Sequence, residues 1–299
     1  MKRKPIYVEI PIQAEMDKLW EATQNPELHE QWDLRFSKIY YLPKKEGKPQ
    51  EFSYQTKIGP FQVEGWGKSV GSFQGKDDSR TSSLHFGTDQ TISPIREGRG
   101  YWKYIPDGES ITFLTEYNYQ TSFGRLGAFV DRFLFRPVMG WGTALSFDVL
   151  KRWMEKGESP QHQYTRFLSF WMISFLFLFI WMYHGAVPKL FFMDEAELQM
   201  VQTILPFGEE SIRSVVRVIG WAEVLFGLLF VFMGRKKPLF IVQLILFPIL
   251  TLAAIWGDPS VLSHPFSPLT FNLTLILLSW FGLKLGSDIP TAKSCKRKR

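Results

Sequence analysis

The sequence predicts an α+β domain followed by an all-α bundle of four transmembrane helices, and three observations carry that reading. Of the 64 charged side chains among 299 residues, 43 fall within residues 1–165. The remainder of the chain contains four long apolar runs, whereas the first half alternates apolar and polar residues with the period of two expected of strands. The overall mean hydropathy of −0.08 describes neither half.

The N-terminal segment Met1-Lys-Arg-Lys-Pro5 is basic, but Glu9, Glu15, Asp17 and Lys18 follow without an apolar core, so no cleaved export signal is expected. Ile6 to Ile12 alternates as a strand. Gln13 to Trp32 has helical apolar spacing at Met16, Leu19 and Trp20, with a break near Pro26, which predicts two short helices. Strands are predicted at Phe36 to Leu42, Glu51 to Lys57, Gln62 to Val70, Ser82 to Phe86, Arg99 to Ile105 and Ser110 to Tyr119, separated by turn signals such as Pro106-Asp-Gly108. A long helix is expected from about Leu126 to Lys156, with a kink or break at Pro137 and Gly140-Trp-Gly142. The domain is thus residues 1–156, with a short polar linker at 157–166.

The membrane region is expected over 167–285, before a basic tail at 286–299. Phe167 to Pro188 has no Asp, Glu, Lys or Arg; Val215 to Gly234 is apolar except for Arg217 and Glu223; Pro238 to Gly257 is uncharged; Leu269 to Leu285 carries only Lys284. Lys151, Arg152, Lys156 and Arg166 precede the first span, Arg235 to Lys237 lie between the second and third, and Lys293 and Lys296 to Arg299 follow the fourth. These groups fall on one side of a four-span bundle, so both termini are expected in the cytoplasm of a multi-pass cell-membrane protein. The tail is expected to set topology; nucleic acid is a poor partner for a chain held at a bilayer.

One cysteine, Cys295, excludes a disulfide framework and any C-x-x-C redox or zinc site. Gly67-Lys68-Ser69 lacks the glycine that a phosphate loop needs at position 62, and Gly65-Trp-Gly67 has Val70 where a dinucleotide loop needs its third glycine. His29-Glu30-Gln31-Trp32-Asp33 begins like a zinc motif but ends in Asp33, so helix-end packing of Trp32 is favoured and no metal is expected. No cofactor is identified. Asn272-Leu-Thr274 fits a glycosylation acceptor but enters an apolar span and is discounted.

Glu223 is the most telling residue, because a carboxylate in mid-span is costly unless it is neutral, paired or facing a wet cavity. A proton or headgroup site and a neutral glutamic acid hydrogen-bonded between helices are both open. His184 and Lys189, at the end of the first span, are its candidate partners if the bundle tilts them inward; otherwise Lys189 snorkels to the interface. His264 and Asn272 are further intramembrane polar candidates. Arg125, Arg132 and Arg136 are expected on one helix face beside Phe129 and Phe133, a mixture suited to an anionic membrane surface, with a solvated face as the alternative.

The opening IYVEIPIQAEMDKLWEATQNPELHEQWDLRFSKI, with the closing helix, resembles the START-like or polyketide-cyclase (SRPBCC) superfamily over about residues 1–156. The WMYHGAVPKL end of the first span, the Gly220-Trp-Ala-Glu223 element and the HPFSPLTFNL approach to the fourth resemble the DoxX-like family. The first resemblance implies a helix-grip domain whose cavity takes an apolar small molecule such as a lipid or quinone. The second implies a bundle that could serve a quinone-linked membrane oxidoreductase, since some DoxX relatives belong to thiosulfate:quinone oxidoreductases. A ligand-free regulatory or structural anchor would fit instead if Phe and Trp side chains fill the cavity.

Overall fold

The computed structural model describes residues 4–263 and 265–298 and divides the chain into two compact units, residues 1–164 with 290–299 and residues 165–289. The first unit is a seven-stranded antiparallel sheet with helices. The strands are β1 (Ile6–Ile12), β2 (Lys38–Tyr41), β3 (Glu51–Ile58), β4 (Phe61–Gln74), β5 (Arg80–Gly87), β6 (Ile95–Asp107) and β7 (Ser110–Thr121), in the order β1-β7-β6-β5-β4-β3-β2. Consecutive strands pair from β2 to β7, and β1 closes against β7 with Ile10 opposite Phe113. Between β1 and β2 lie α1 (Met16–Gln24) and α2 (Pro26–Trp32). Asn25 separates them because its side chain accepts from the Glu27 N–H while Pro26 occupies the first helical position, where no N–H is needed.

After β7 the chain forms α3 (Gly124–Val130), a π-helical turn (Asp131–Phe135) and α4 (Arg136–Lys156). This wider turn stands just before Pro137, where the sequence predicts a kink or break. Proline lacks an N–H for the carbonyl four residues back and crowds it, and a π turn absorbs both effects without breaking the helix.

The sheet face toward α4 is packed with aromatic rings. Trp32, Tyr104, Phe113 and Phe147 are fully buried, with Phe113 and Phe147 stacked at 4.5 Å and Tyr104 5.0 Å from Phe113. Their polar atoms are satisfied, since Trp32 Nε1 donates to the Ala22 carbonyl at 2.9 Å and the Tyr104 hydroxyl meets Thr23 Oγ1 at 2.6 Å. An open concavity of about 370 Å³ is lined by Thr81, Ser83, Tyr101, Lys103, Ile105 and Leu114, which alternate with the inward residues and so lie on the opposite face. A second, of about 420 Å³, runs along β3 to β5 past Trp66, Lys68 and His85.

Residues 290–299 complete this unit. Glu9 and Lys296 exchange backbone hydrogen bonds at 2.9 Å, the Thr291 N–H donates to Asp148 Oδ2 at 2.8 Å, and Arg297 reaches the Pro137 carbonyl at 3.2 Å. The Cys295 thiol donates to the Ala144 carbonyl, and burial pushes its pKa up to about 12.

The second unit holds four helices long and apolar enough to cross a membrane. They are α5 (Pro160–His184), extended by a π-helical turn (Gly185–Phe191), and then α7 (Glu209–Phe232), α8 (Lys237–Gly257) and α9 (Pro268–Leu285), with α6 (Glu195–Ile204) inserted after the first. Phe170, Phe177, Trp181, Phe230, Phe240 and Phe247 form the bundle core. Close approach rests on small residues: a Cβ at Gly227 would meet Trp181 Cβ at 3.0 Å, and one at Gly282 would collide with the Phe240 ring.

Candidate functional site

Each unit contains a cluster of buried charge. In the first unit, α2 ends at Trp32 and leaves Asp33 inside, where the capping N–H bonds back to the His29 carbonyl. Asp33 Oδ1 accepts from Arg35 Nε at 2.9 Å and from the Arg35 backbone N–H at 3.1 Å; Oδ2 receives the second guanidinium bond at 2.5 Å and faces His29 Nε2 at 3.0 Å. Burial would raise the Asp33 pKa, but the Arg35 charge and these bonds outweigh it and hold the carboxyl well below the usual range. Burial lowers the pKa of His29, against the pull of Asp33. The guanidinium stands over the rings of Phe36 and Tyr117 at 5.5 and 5.4 Å. The Tyr117 hydroxyl lies 2.9 Å from Thr143 Oγ1, which itself donates to the Met139 carbonyl. Every lone-pair direction of Asp33 is used, and the set is a closed structural lock.

The sequence motif at His29 is therefore a helix-end bond between residues four apart. Among the described residues no group of three or more His, Cys, Asp or Glu could hold a metal ion.

The second cluster lies in the membrane unit and is less saturated. Pro188, inside the π turn, has no N–H to give to the His184 carbonyl four residues back, and the Lys189 ammonium donates to that carbonyl at 3.4 Å. Lys189 is buried, 8% exposed, and its Nζ lies 3.2 Å from Glu197 Oε1 and 3.3 Å from Glu223 Oε2. The lysine thus turns inward between two carboxylates instead of extending to an interface. Glycine makes this possible. A Cβ at Gly185 would sit 2.5 Å from the Gly220 carbonyl and 3.0 Å from Glu223 Cβ, so only a bare backbone at both positions lets the π turn reach α7.

Glu197 enters from α6. Asp194 caps that helix by accepting from the N–H groups of Ala196 and Glu197, and Leu198 packs on Ile212 and Val216 of α7. The capping aspartate followed by apolar residues at helical spacing was the available signal. Glu223 is 13% exposed at its side chain, and its Oε2, although close to Lys189, has no aligned hydrogen bond among the described residues.

The other expected residues are dispersed. The His184 ring faces Phe271 at 5.8 Å, and only its carbonyl joins the lysine. Asn272 donates to Thr251 Oγ1 at 2.9 Å, linking α9 to α8. His264 lies outside the described residues. Arg125 and Arg132 are exposed, whereas Arg136 turns inward to Asp131 Oδ2 at 3.1 Å and stacks on Tyr119 at 4.4 Å. The expected shared face of three arginines fails at Arg136, because the π turn between Asp131 and Phe135 changes the angular spacing on which it depended.

Residues 178–280 match the DoxX-like family. YndG, an uncharacterized membrane protein of Bacillus subtilis (strain 168), is 46% identical over 187 residues, covering 62% of this chain and 70% of the relative. Among solved structures, the chain is similar to a STAR-related lipid transfer protein fragment from Xanthomonas axonopodis, at 13% identity and a TM-score of 0.39 over 50% of this chain and 85% of that one. It is also similar to the Zhui aromatase/cyclase of Streptomyces sp. R1128, at 11% identity and a TM-score of 0.36 over 52% of this chain and 98% of that one.

Proposed function

This chain belongs to one family with the Bacillus subtilis membrane protein YndG, and from that premise we propose that it binds an apolar small molecule of the lipid or quinone class by its polar head, within the DoxX-like bundle. The observation that carries the reading is Glu223 Oε2, a buried carboxylate oxygen beside a buried ammonium with no aligned hydrogen bond among the described residues. Beyond its ion pair with Lys189, that carboxylate keeps bonding capacity, and a head group with a hydroxyl would fill it. The START-like interior is a weaker candidate, because Trp32, Tyr104, Phe113 and Phe147 occupy the space between sheet and helix.

That aromatic filling favours a second reading for the soluble unit alone: a regulatory or structural domain held at the bilayer without a ligand inside. Residues 290–299 pack with residues 1–164, which supports a topology in which the first span begins and the fourth ends on one side of the membrane. The basic loops favour the cytoplasm for that side. The test is mass spectrometry of small molecules copurifying with the full-length protein in detergent, for wild type and for Glu223→Leu. A lipid or quinone retained by wild type and lost from a folded Glu223→Leu supports the binding role; equal retention by both contradicts it.

A further inference from the structure

The helix that follows β7 carries apolar residues on the side away from the sheet. Its inward side is accounted for: Asp131 accepts from the Tyr119 hydroxyl at 2.6 Å, and Phe135 packs edge-on against the Tyr119 ring at 6.0 Å. The outward side is formed by Leu126 (73% exposed), Phe129 (63%), Val130, Phe133 (63%), Leu134 (61%) and Val138. The Phe129 and Phe133 rings lie 4.9 Å apart, so these exposed residues join into one outward apolar surface where the π turn begins. Scattered surface leucines are ordinary, but a contiguous apolar stripe marks a covered surface.

Charge identifies the cover. Arg125 and Arg132, seven residues apart and both exposed, border the stripe, and the Arg132 guanidinium lies 5.5 Å from the Phe133 ring. The one acidic residue between positions 123 and 141 is Asp131, which is buried and bonded. Apolar rings flanked by arginine with no exposed carboxylate match the acyl and anionic headgroup layers of a leaflet. Proximity is built into the chain, since α4 ends at Lys156 and the first spanning helix begins at Pro160. We infer that the Leu126–Val138 stripe inserts into an anionic membrane leaflet and holds the soluble unit against the bilayer. This is independent of the Lys189–Glu223 site.

The test uses the full-length chain, with Cys295→Ser as background, in vesicles of phosphatidylcholine with or without phosphatidylglycerol. Phe129→Cys and Phe133→Cys are labelled with an environment-sensitive fluorophore, with Lys76→Cys, in the exposed turn before β5, as the reference. Nitroxide groups on lipid acyl chains should quench the labels at 129 and 133 and leave the one at 76 bright. Replacing both Arg125 and Arg132 by Gln should shift the docking equilibrium in anionic vesicles by about 5-fold per charge. Labels at 129 and 133 as bright and water-exposed as the reference would overturn the inference. So would labels shielded from aqueous quenchers but untouched by the lipid nitroxides, because protein would then cover the stripe. Quenching that ignores the arginine substitutions would overturn the anionic part.

Discussion

Asp33 in the first unit and Glu223 in the second are both carboxylates facing a cation, yet Asp33, fully buried, is engaged by four donors, whereas Glu223, 13% exposed at its side chain, has the Lys189 ammonium 3.3 Å from its Oε2. Arg35 explains part of the contrast. Its planar fork fits a carboxylate at two points, whereas the Lys189 ammonium is a point charge shared between Glu223, Glu197 and a carbonyl. Saturated buried charge fixes a fold. Unsaturated buried charge retains bonding capacity, and that is where a molecule or a proton can enter.

The sharpest way to break the comparison is at Asp33. Asp33→Ala leaves the Arg35 guanidinium buried without its partner and is expected to destabilise the soluble unit by about 3–5 kcal/mol. Thermal unfolding of the full chain reads this as early loss of the soluble unit's transition, and an unchanged transition would mean that Arg35 finds water. In the membrane unit the corresponding lever is steric. Gly220→Val meets the Gly185 carbonyl at 2.9 Å and Leu190 at 3.0 Å, so overpacking should cost roughly 1–3 kcal/mol and move Lys189 from Glu223. Gly142→Ala, which meets nothing within 4 Å, is the control in the same unfolding assay.

Acidification sharpens the contrast from the soluble side. Because the folded His29 has a lowered pKa, the unfolded chain takes up its proton first as pH falls below about 6.5, and stability declines from there. Asp33, held below its usual pKa, adds stability above about pH 4 that is lost as pH falls further. The melting temperature of the soluble unit should therefore fall in two stages, and His29→Gln should remove the first. The smallest expected effect is at the tail. Lys296 lies 3.5 Å from Glu9 and is 61% exposed at its side chain, so Lys296→Gln should cost about 0.2–1 kcal/mol and less in high salt.

Much of the fold is legible in the sequence because it rests on local pattern. Each strand overlaps a run predicted as a strand, and the four spans follow from long apolar stretches. Strand ends were less legible where register shifts, as between Ser69 and Gly71 in β4, since a bulge depends on the partner strand. Glu223 stood out because a carboxylate in an apolar run is conspicuous by itself. Glu197 did not, because its significance comes from Lys189 on another element, and Asp33 was weighed as a failed zinc ligand while its partner Arg35 lay two residues on. Arg136 was misplaced because helical spacing was extended through a turn that is not α-helical.

The most direct measurement is where an apolar molecule touches the protein. A photoreactive lipid or quinone analogue with its reactive group near the polar head, crosslinked to the full-length chain in vesicles and mapped by peptide mass spectrometry, should label the segments around Lys189, Glu197 and Glu223, and Lys189→Met should reduce that labelling. Crosslinks to Trp32, Tyr104, Phe113 or Phe147 inside the START-like unit, with none around Lys189, would contradict the account.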